Sequence, residues 1–258
     1  MQRRKFLQSS IIAASAITTG IDTKNNDQKG AKEFYEWREY DMHFGSDQSQ
    51  LENYFKNALI PAYNKYGIKT IGVFKETGRS EPAKIYLLIP YASMENYISV
   101  NAKVKADDDY VKNSQAYNSV TADKPVYSRF NAWFMIAFDG MPKLIVPDSG
   151  PRIFELRTYE GYSEDAVRRK IKMFNDGEFP IFYRAKLTPV FFGEVISGKD
   201  LPRLTYMITF KNLEERDKNW ASFIADPDWK KLTADPQYAN TVSNIIKIFL
   251  EPAVYSQV

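Results

Sequence analysis

One stretch of this chain returns at a fixed distance, and that recurrence limits its possible folds more than any other feature. Phe34-Tyr35-Glu36-Trp37-Arg38-Glu39-Tyr40 comes back as Ile153-Phe154-Glu155-Leu156-Arg157-Thr158-Tyr159, a shift of 119 residues in a chain of 258. The same shift carries Phe55 to Phe174, Pro61 to Pro180, Ile89 to Ile208 and Glu95 to Glu214. It also carries Ala106-Asp107-Asp108-Asp109-Tyr110 to Ala225-Asp226-Pro227-Asp228-Trp229. Solenoid units repeat every 20 to 50 residues or so, and this period is far longer. The pattern is that of a duplicated domain, and the surface the copies share is where function is to be sought.

Each copy has the order strand, helix, strand, strand, helix, strand. In the first, Glu33–Asp41 alternates as a strand. Ser46 is placed to cap a helix carrying Leu51, Tyr54, Phe55, Ala58 and Ala62 at helical spacing. Gly67 ends it, Lys69–Lys75 and Lys84–Ile89 form a hairpin, Ser93 caps the second helix, and Phe130–Phe138 closes the unit. The second copy reads Arg152–Glu160, Ser163–Lys186, Thr188–Ile196, Arg203–Phe210, Leu213–Ile224 and Ser243–Leu250. Asn212 with Glu215 has the form of a capping box. Pro61 and Pro180 should kink or restart the first helix of each copy, because proline lacks the amide donor. A βαββαβ order is the ferredoxin-like plan, an α+β fold with both helices on one face of an antiparallel sheet. The bare face needs a cover. Two tandem repeats supply it by turning their sheets toward each other, as an intrachain dimer closed into an α/β barrel. The expected organisation is a signal over 1–20, a polar leader over 21–32, a first domain over 33–140, a linker over 141–151 and a second domain over 152–258.

The N-terminal expectation rests on charge and apolarity. Arg3-Arg4-Lys5-Phe6-Leu7 precedes an apolar run from Ile11 to Ile17, and Ala14-Ser15-Ala16 has the form of a signal-peptidase site. The paired arginines resemble a twin-arginine signal, which implies an exported, periplasmic or secreted protein. The run is too short to cross a bilayer, so no stable membrane anchor is expected. The chain carries 35 basic and 32 acidic residues, and Arg3, Arg4 and Lys5 account for the whole excess. From residue 21 on it is balanced, which removes the electrostatic case for a nucleic-acid partner. With no cysteine and one histidine, thiolate chemistry, disulfides and the usual zinc ligand sets are excluded. No phosphate loop, nucleophile elbow or dinucleotide fingerprint occurs. No cofactor and no metal are expected. Asp107-Asp108-Asp109 lacks the spacing of a calcium loop and is read, with Asp226-Pro227-Asp228, as a capping segment.

Side chains of a strand alternate between its faces. Tyr35, Trp37, Phe154 and Leu156 therefore share one side, and Glu36, Arg38, Tyr40, Glu155, Arg157 and Tyr159 share the other. The apolar side is expected to pack under the helices and the polar side to line the barrel lumen.

At these residues the chain resembles the NIPSNAP family of the dimeric α/β-barrel superfamily, whose leading strand reads Tyr-Glu-Leu-Arg-x-Tyr. Asp226-Pro227-Asp228-Trp229 and the ending Phe249-Leu250-Glu251-Pro252-Ala253-Val254-Tyr255-Ser256 are similar to its later motifs. Trp37, and the absence of a proline within Asp107-Asp108-Asp109-Tyr110, depart from it. The resemblance implies the fold far more than any chemistry.

Six ligand-binding candidates follow: Glu36, Arg38, Tyr40, Glu155, Arg157 and Tyr159. Arginine forks grip carboxylates, and the tyrosines add hydroxyl donors. Such a site suits a small organic or anionic molecule. The competing reading has the charges satisfying one another to close the barrel. His43, just past the first strand, is the candidate catalytic base for a cofactor-free oxygenase or isomerase, activities the superfamily implies. A non-catalytic module that binds other proteins, and association with further copies of the chain, also remain open.

Overall fold

A computed structural model describes residues 31–78 and 80–258, so the expected export signal and nearly all of the leader lie outside the described residues. From Phe34 the chain runs β1 (Phe34–Asp41), α1 (Ser49–Tyr54), a π-helical stretch (Phe55–Leu59), α2 (Ile60–Lys65), β2 (Gly72–Glu76) and β3 (Lys84–Tyr91). Then come α3 (Met94–Lys105), α4 (Asp108–Asn113), α5 (Gln115–Asn118) and β4 (Arg129–Ala137). The second half runs β5 (Ile153–Glu160), α6 (Glu164–Met173), a π-helical stretch (Phe174–Glu178), α7 (Phe179–Arg184), β6 (Thr188–Ser197) and β7 (Arg203–Phe210). It ends with α8 (Leu213–Ala225), α9 (Pro227–Thr233), a 3₁₀ turn (Pro236–Tyr238) and β8 (Asn244–Pro252).

Local chemistry explains most boundaries. The side chains of Ser93, Ser163 and Asn212 accept the amides of Asn96, Ala166 and Glu215 and so start α3, α6 and α8. Asp107 and Asp226 do the same for α4 and α9, as capping segments should. Ser46 does not cap α1, which begins three residues later without a side-chain cap. The prolines do not break their helices. Pro61 and Pro180 each follow a π-helical stretch, whose widened turn removes the need for the amide that proline lacks.

The eight strands form one closed antiparallel barrel in the order β1-β3-β2-β8-β5-β7-β6-β4. β1 pairs with β3 so that Glu36 faces Ile89, and β5 pairs with β7 so that Glu155 faces Ile208, the same register 119 residues on. Across the halves β4 pairs with β6 and β2 with β8.

The expected orientation of β1 and β5 is reversed. Tyr35, Trp37, Phe154 and Leu156 do not lie under the helices. They meet Phe74, Tyr86, Leu88, Met135, Phe191, Met207 and Leu250 in one buried cluster drawn from all eight strands, which is the lumen. An eight-stranded barrel is only wide enough for side chains to fill it, and here large apolar ones do. Glu36, Arg38, Tyr40, Glu155, Arg157 and Tyr159 point outward instead, beneath the helices. The alternation holds, but polarity does not mark the lumen because both faces of these strands are buried.

Candidate functional site

The outward positions of β1 and β5 build two related clusters between sheet and helices. In the first half, Arg38 Nε and Nη2 donate to the two oxygens of Glu36 at 2.7 and 3.0 Å. The Tyr91 hydroxyl donates to the same carboxylate at 3.0 Å. Asn101 Nδ2 donates to the Tyr91 oxygen at 3.3 Å, and Tyr63 donates to Asn101 Oδ1 at 2.7 Å. Burial disfavours the charge on Arg38, but Glu36 beside it more than compensates and holds the guanidinium protonated.

In the second half the same carboxylate is sealed differently. Glu155, 0% exposed, accepts from Arg157 Nη1 at 2.6 Å, from Arg216 Nε and Nη2 at 2.8 and 3.1 Å, and from Trp220 Nε1 at 3.0 Å. Burial pushes the Glu155 carboxyl up, yet Arg216, Arg157 and Trp220 together bring it below its ordinary value. Arg157 stacks 4.5 Å from the Trp220 ring centroid, and the Tyr159 and Tyr206 hydroxyls bond to each other at 2.8 Å. Shifting Arg216 and Trp220 back by 119 gives Tyr97 and Asn101. The two helix positions thus reach the strand carboxylate directly, with cation and indole, in the second half, whereas in the first Asn101 reaches it only through the Tyr91 hydroxyl of β3.

The surroundings of the two clusters also differ. Around the first, tyrosines dominate: Tyr54 stacks on Tyr117 at 3.8 Å and bonds to Tyr110 at 2.9 Å, and Tyr117 donates to Tyr127 at 3.2 Å. This network reaches a hollow of about 530 Å³ lined by Tyr117, Val126, Tyr127, Arg129 and Phe130. Tyr40 forms the layer behind it, with its ring 5.0 Å from Phe130 and 5.2 Å from Tyr127. Arg38 sits 6.0 Å from the Phe130 ring centroid. Burial pushes the Tyr40 hydroxyl up to about 12, against the pull of Arg38. Around the second cluster phenylalanines dominate, with Phe174, Phe179, Phe182, Phe192 and Phe223 packed together.

His43 stands apart from both clusters, exposed on the turn after β1, where its carbonyl accepts from Ser46 at 3.0 Å. Its counterpart Tyr162 is also exposed. Among the described residues no group of His, Asp or Glu side chains is arranged to hold a metal, and no helix is long and apolar enough to cross a membrane.

The profile of the NIPSNAP family matches the chain over residues 35–125 and again over 154–257. The chain belongs to the NIPSNAP family. Among solved structures, a candidate monooxygenase from Lactobacillus acidophilus superposes with a TM-score of 0.56 at 13% identity, over 86% of this chain and 94% of its own. An anthrone oxidase-like protein superposes with a TM-score of 0.50 at 10% identity, over 87% and 93%. A NIPSNAP-like domain protein from Burkholderia xenovorans is 19% identical, covers 42% of this chain and 90% of its own, and has a TM-score of 0.37. At such identities the first two superpositions show a likeness of fold alone. Among curated proteins none matches the sequence.

Two features of this NIPSNAP chain went unread in its sequence. One is the hollow, which lies on the irregular segment between α5 and β4. The other is a buried ion pair, Lys170 to Glu178 at 2.7 Å, with the ammonium 4.5 Å from the Phe174 ring centroid. A signal for the second exists: shifted back by 119, these positions are Leu51 and Leu59, so two charges occupy core positions. Burial pushes Glu178 up, with Lys170 and Arg157 resisting.

Proposed function

We propose that this NIPSNAP barrel binds a small organic ligand, aromatic and bearing a carbonyl or hydroxyl, at the tyrosine-lined hollow of its first half. The observation that carries this reading is the contact between that hollow and Tyr40, which links an accessible aromatic surface to the buried Glu36–Arg38 pair. Tyr117, Tyr127 and Phe130 offer faces for stacking, and the hydroxyls behind them offer donors. Burial raises Tyr40, Tyr54, Tyr91 and Tyr117 above the ordinary tyrosine value. At neutral pH they are hydroxyls rather than bases, which suits recognition better than proton abstraction. The packed lumen leaves no room for a ligand on the barrel axis, and the proposed site lies on the outer side of the sheet.

The neighbours described as a monooxygenase and as anthrone oxidase-like share this fold and motivate the reading as a cofactor-free oxygenase. A phenolic substrate would sit in the same hollow, but a base must then come from elsewhere, and His43 does not line it. The repeated strand register supports taking residues 33–140 and 152–258 as two fused ferredoxin-like repeats. Arg3-Arg4 with the run to Ile17 supports export by the twin-arginine route. N-terminal sequencing of protein from the periplasm should begin after Ala16, and an intact Met1 there would refute export by cleavage.

The test of the ligand site is calorimetric titration of 4-hydroxyacetophenone into the wild type, Phe130→Ala and Arg38→Leu. Saturable binding that Phe130→Ala abolishes supports the hollow. Binding untouched by Phe130→Ala, or none at all, refutes it and favours the protein-interaction reading.

A further inference from the structure

Arg203 opens β7 opposite Glu160 of β5, at the end of the barrel where β1 finishes and β3 begins. It alternates with Thr205 and Met207, and Met207 belongs to the lumen cluster, so Arg203 lies on the lumen side just inside the mouth. The residue is 3% exposed. Its Nη1 is 3.8 Å from Asp200, while Nε and Nη2 have no hydrogen-bond partner among the described residues. Those two nitrogens share one edge of the planar guanidinium, the edge whose parallel N–H bonds grip a carboxylate in bidentate fashion. The guanidinium carbon lies 4.8 Å from the ring centroid of Trp133, which is half-buried. Two residues further in, the Thr205 and Thr158 hydroxyls bond to each other at 2.9 Å.

A buried arginine with an idle fork is costly, because its donors have left water without replacement. Burial pulls Arg203 below its ordinary value, and Asp200, Glu160 and Glu39 offset only part of that. Glu39 is itself held by Lys84 at 2.6 Å and Glu160 by Asn244 at 3.0 Å. These groups set the carboxylates of Glu39, Glu160 and Asp200, with the Lys84 ammonium among them, around one inward-facing guanidinium.

We infer that the barrel mouth is a binding site for a small aryl monocarboxylate, its carboxylate on the Nε/Nη2 edge of Arg203 and its ring against Trp133. The acidic rim sets the selectivity. One negative charge is neutralised by the fork, whereas a second is repelled by Glu39, Glu160 and Asp200, so phosphate is rejected. This site is separate from the hollow of the first half, since Phe130 lies on the opposite face of β4 from Trp133.

The experiment is titration of ¹⁵N-arginine-labelled protein with benzoate and with inorganic phosphate at fixed ionic strength, following the Nε–H resonances. The Arg203 signal is assigned by its loss in Arg203→Lys. Benzoate should move it saturably and phosphate should not. By calorimetry, Arg203→Lys should weaken benzoate binding by at least about tenfold, because an ammonium keeps the charge without the fork. Trp133→Leu should weaken it by roughly fivefold, the worth of a cation–π and stacking platform. Absence of a saturable shift in the wild type, or equal affinity in Arg203→Lys, overturns the site. An equal response to phosphate overturns the monocarboxylate assignment.

Discussion

Replacing Glu155 by glutamine tests whether the strand carboxylates are structural keystones. The shape is nearly kept and one charge is removed, which leaves Arg157 and Arg216 facing a neutral amide. Arg216 can turn to Asp217, already 2.7 Å away, and to solvent. Arg157 cannot: it is 8% exposed, Glu155 accepts its Nη1, and its Nε has no partner among the described residues. Stranding one buried charge costs about 3–5 kcal/mol. The amide oxygen still accepts one hydrogen bond, which restores about 1 kcal/mol. The net expectation is a loss of about 3 kcal/mol. For a chain of this size that corresponds to a fall in Tm of roughly 6–12 °C, measurable by thermal and urea unfolding. Glu36→Gln should cost less, about 1–2 kcal/mol, because Tyr91 and Asn101 can re-pair around a neutral side chain. Adding Arg157→Met to Glu155→Gln should recover part of the loss. A Glu155→Gln protein within about 1 kcal/mol of wild type, the scale of an exposed pair, would refute the reasoning, as would a double variant whose losses simply add. The pH dependence has a definite sign. Glu155 is held below its unfolded value, so its contribution is complete above that value and is lost as the pH falls through the folded one. Wild type and Glu155→Gln should therefore converge in stability on acidification below about pH 4.

Two further predictions concern the lumen and the tyrosines. Trp37→Ala removes a fully buried ring that meets Phe74, Tyr86 and Phe191 inside the barrel. It should cost about 3–5 kcal/mol in urea unfolding, whereas a cost below about 1 kcal/mol would show that the lumen is not a packed core. The tyrosines of the first half are raised by burial, Tyr40 to about 12. Their contribution is complete below the unfolded tyrosine value near 10 and is lost as the pH rises through the folded values. Ultraviolet titration should show tyrosines that ionise only together with unfolding, and Tyr40→Phe should reduce that alkaline loss. A set that all titrate near pH 10 in the folded protein would contradict their burial.

The faces of β1 and β5 were legible from alternation, because Glu36 and Arg38 cannot share a side with Trp37. What the residues could not say is which face is inside. In an open sheet one polar side looks at water, but in this barrel the helices bury the polar side and the lumen buries the other. The duplicated register was legible because β1–β3 and β5–β7 pair at the same offset that the repeat displays. Arg203 was hidden for a different reason. A charged residue at the start of a strand looks like an ordinary exposed terminus until the neighbouring strands rise around it.

The joint between β2 and β8 contains only three register pairs, Phe74 to Pro252, Lys75 to Glu251 and Glu76 to Leu250. Below it, the chain after β8 takes over. Ala253 donates to Val73, Ser256 and Gln257 side chains accept the amides of Val73 and Ile71, and Gln257 donates back to Ile71. Val258 then enters the lumen cluster. The barrel is thus laced rather than fully woven along this line, fastened by three residues, Ala253, Ser256 and Gln257, whose side chains and amides do the work of missing ladder rungs. A hoop with one laced seam opens there first under load, and opening it would bare the edge of β2 and the aromatic interior together.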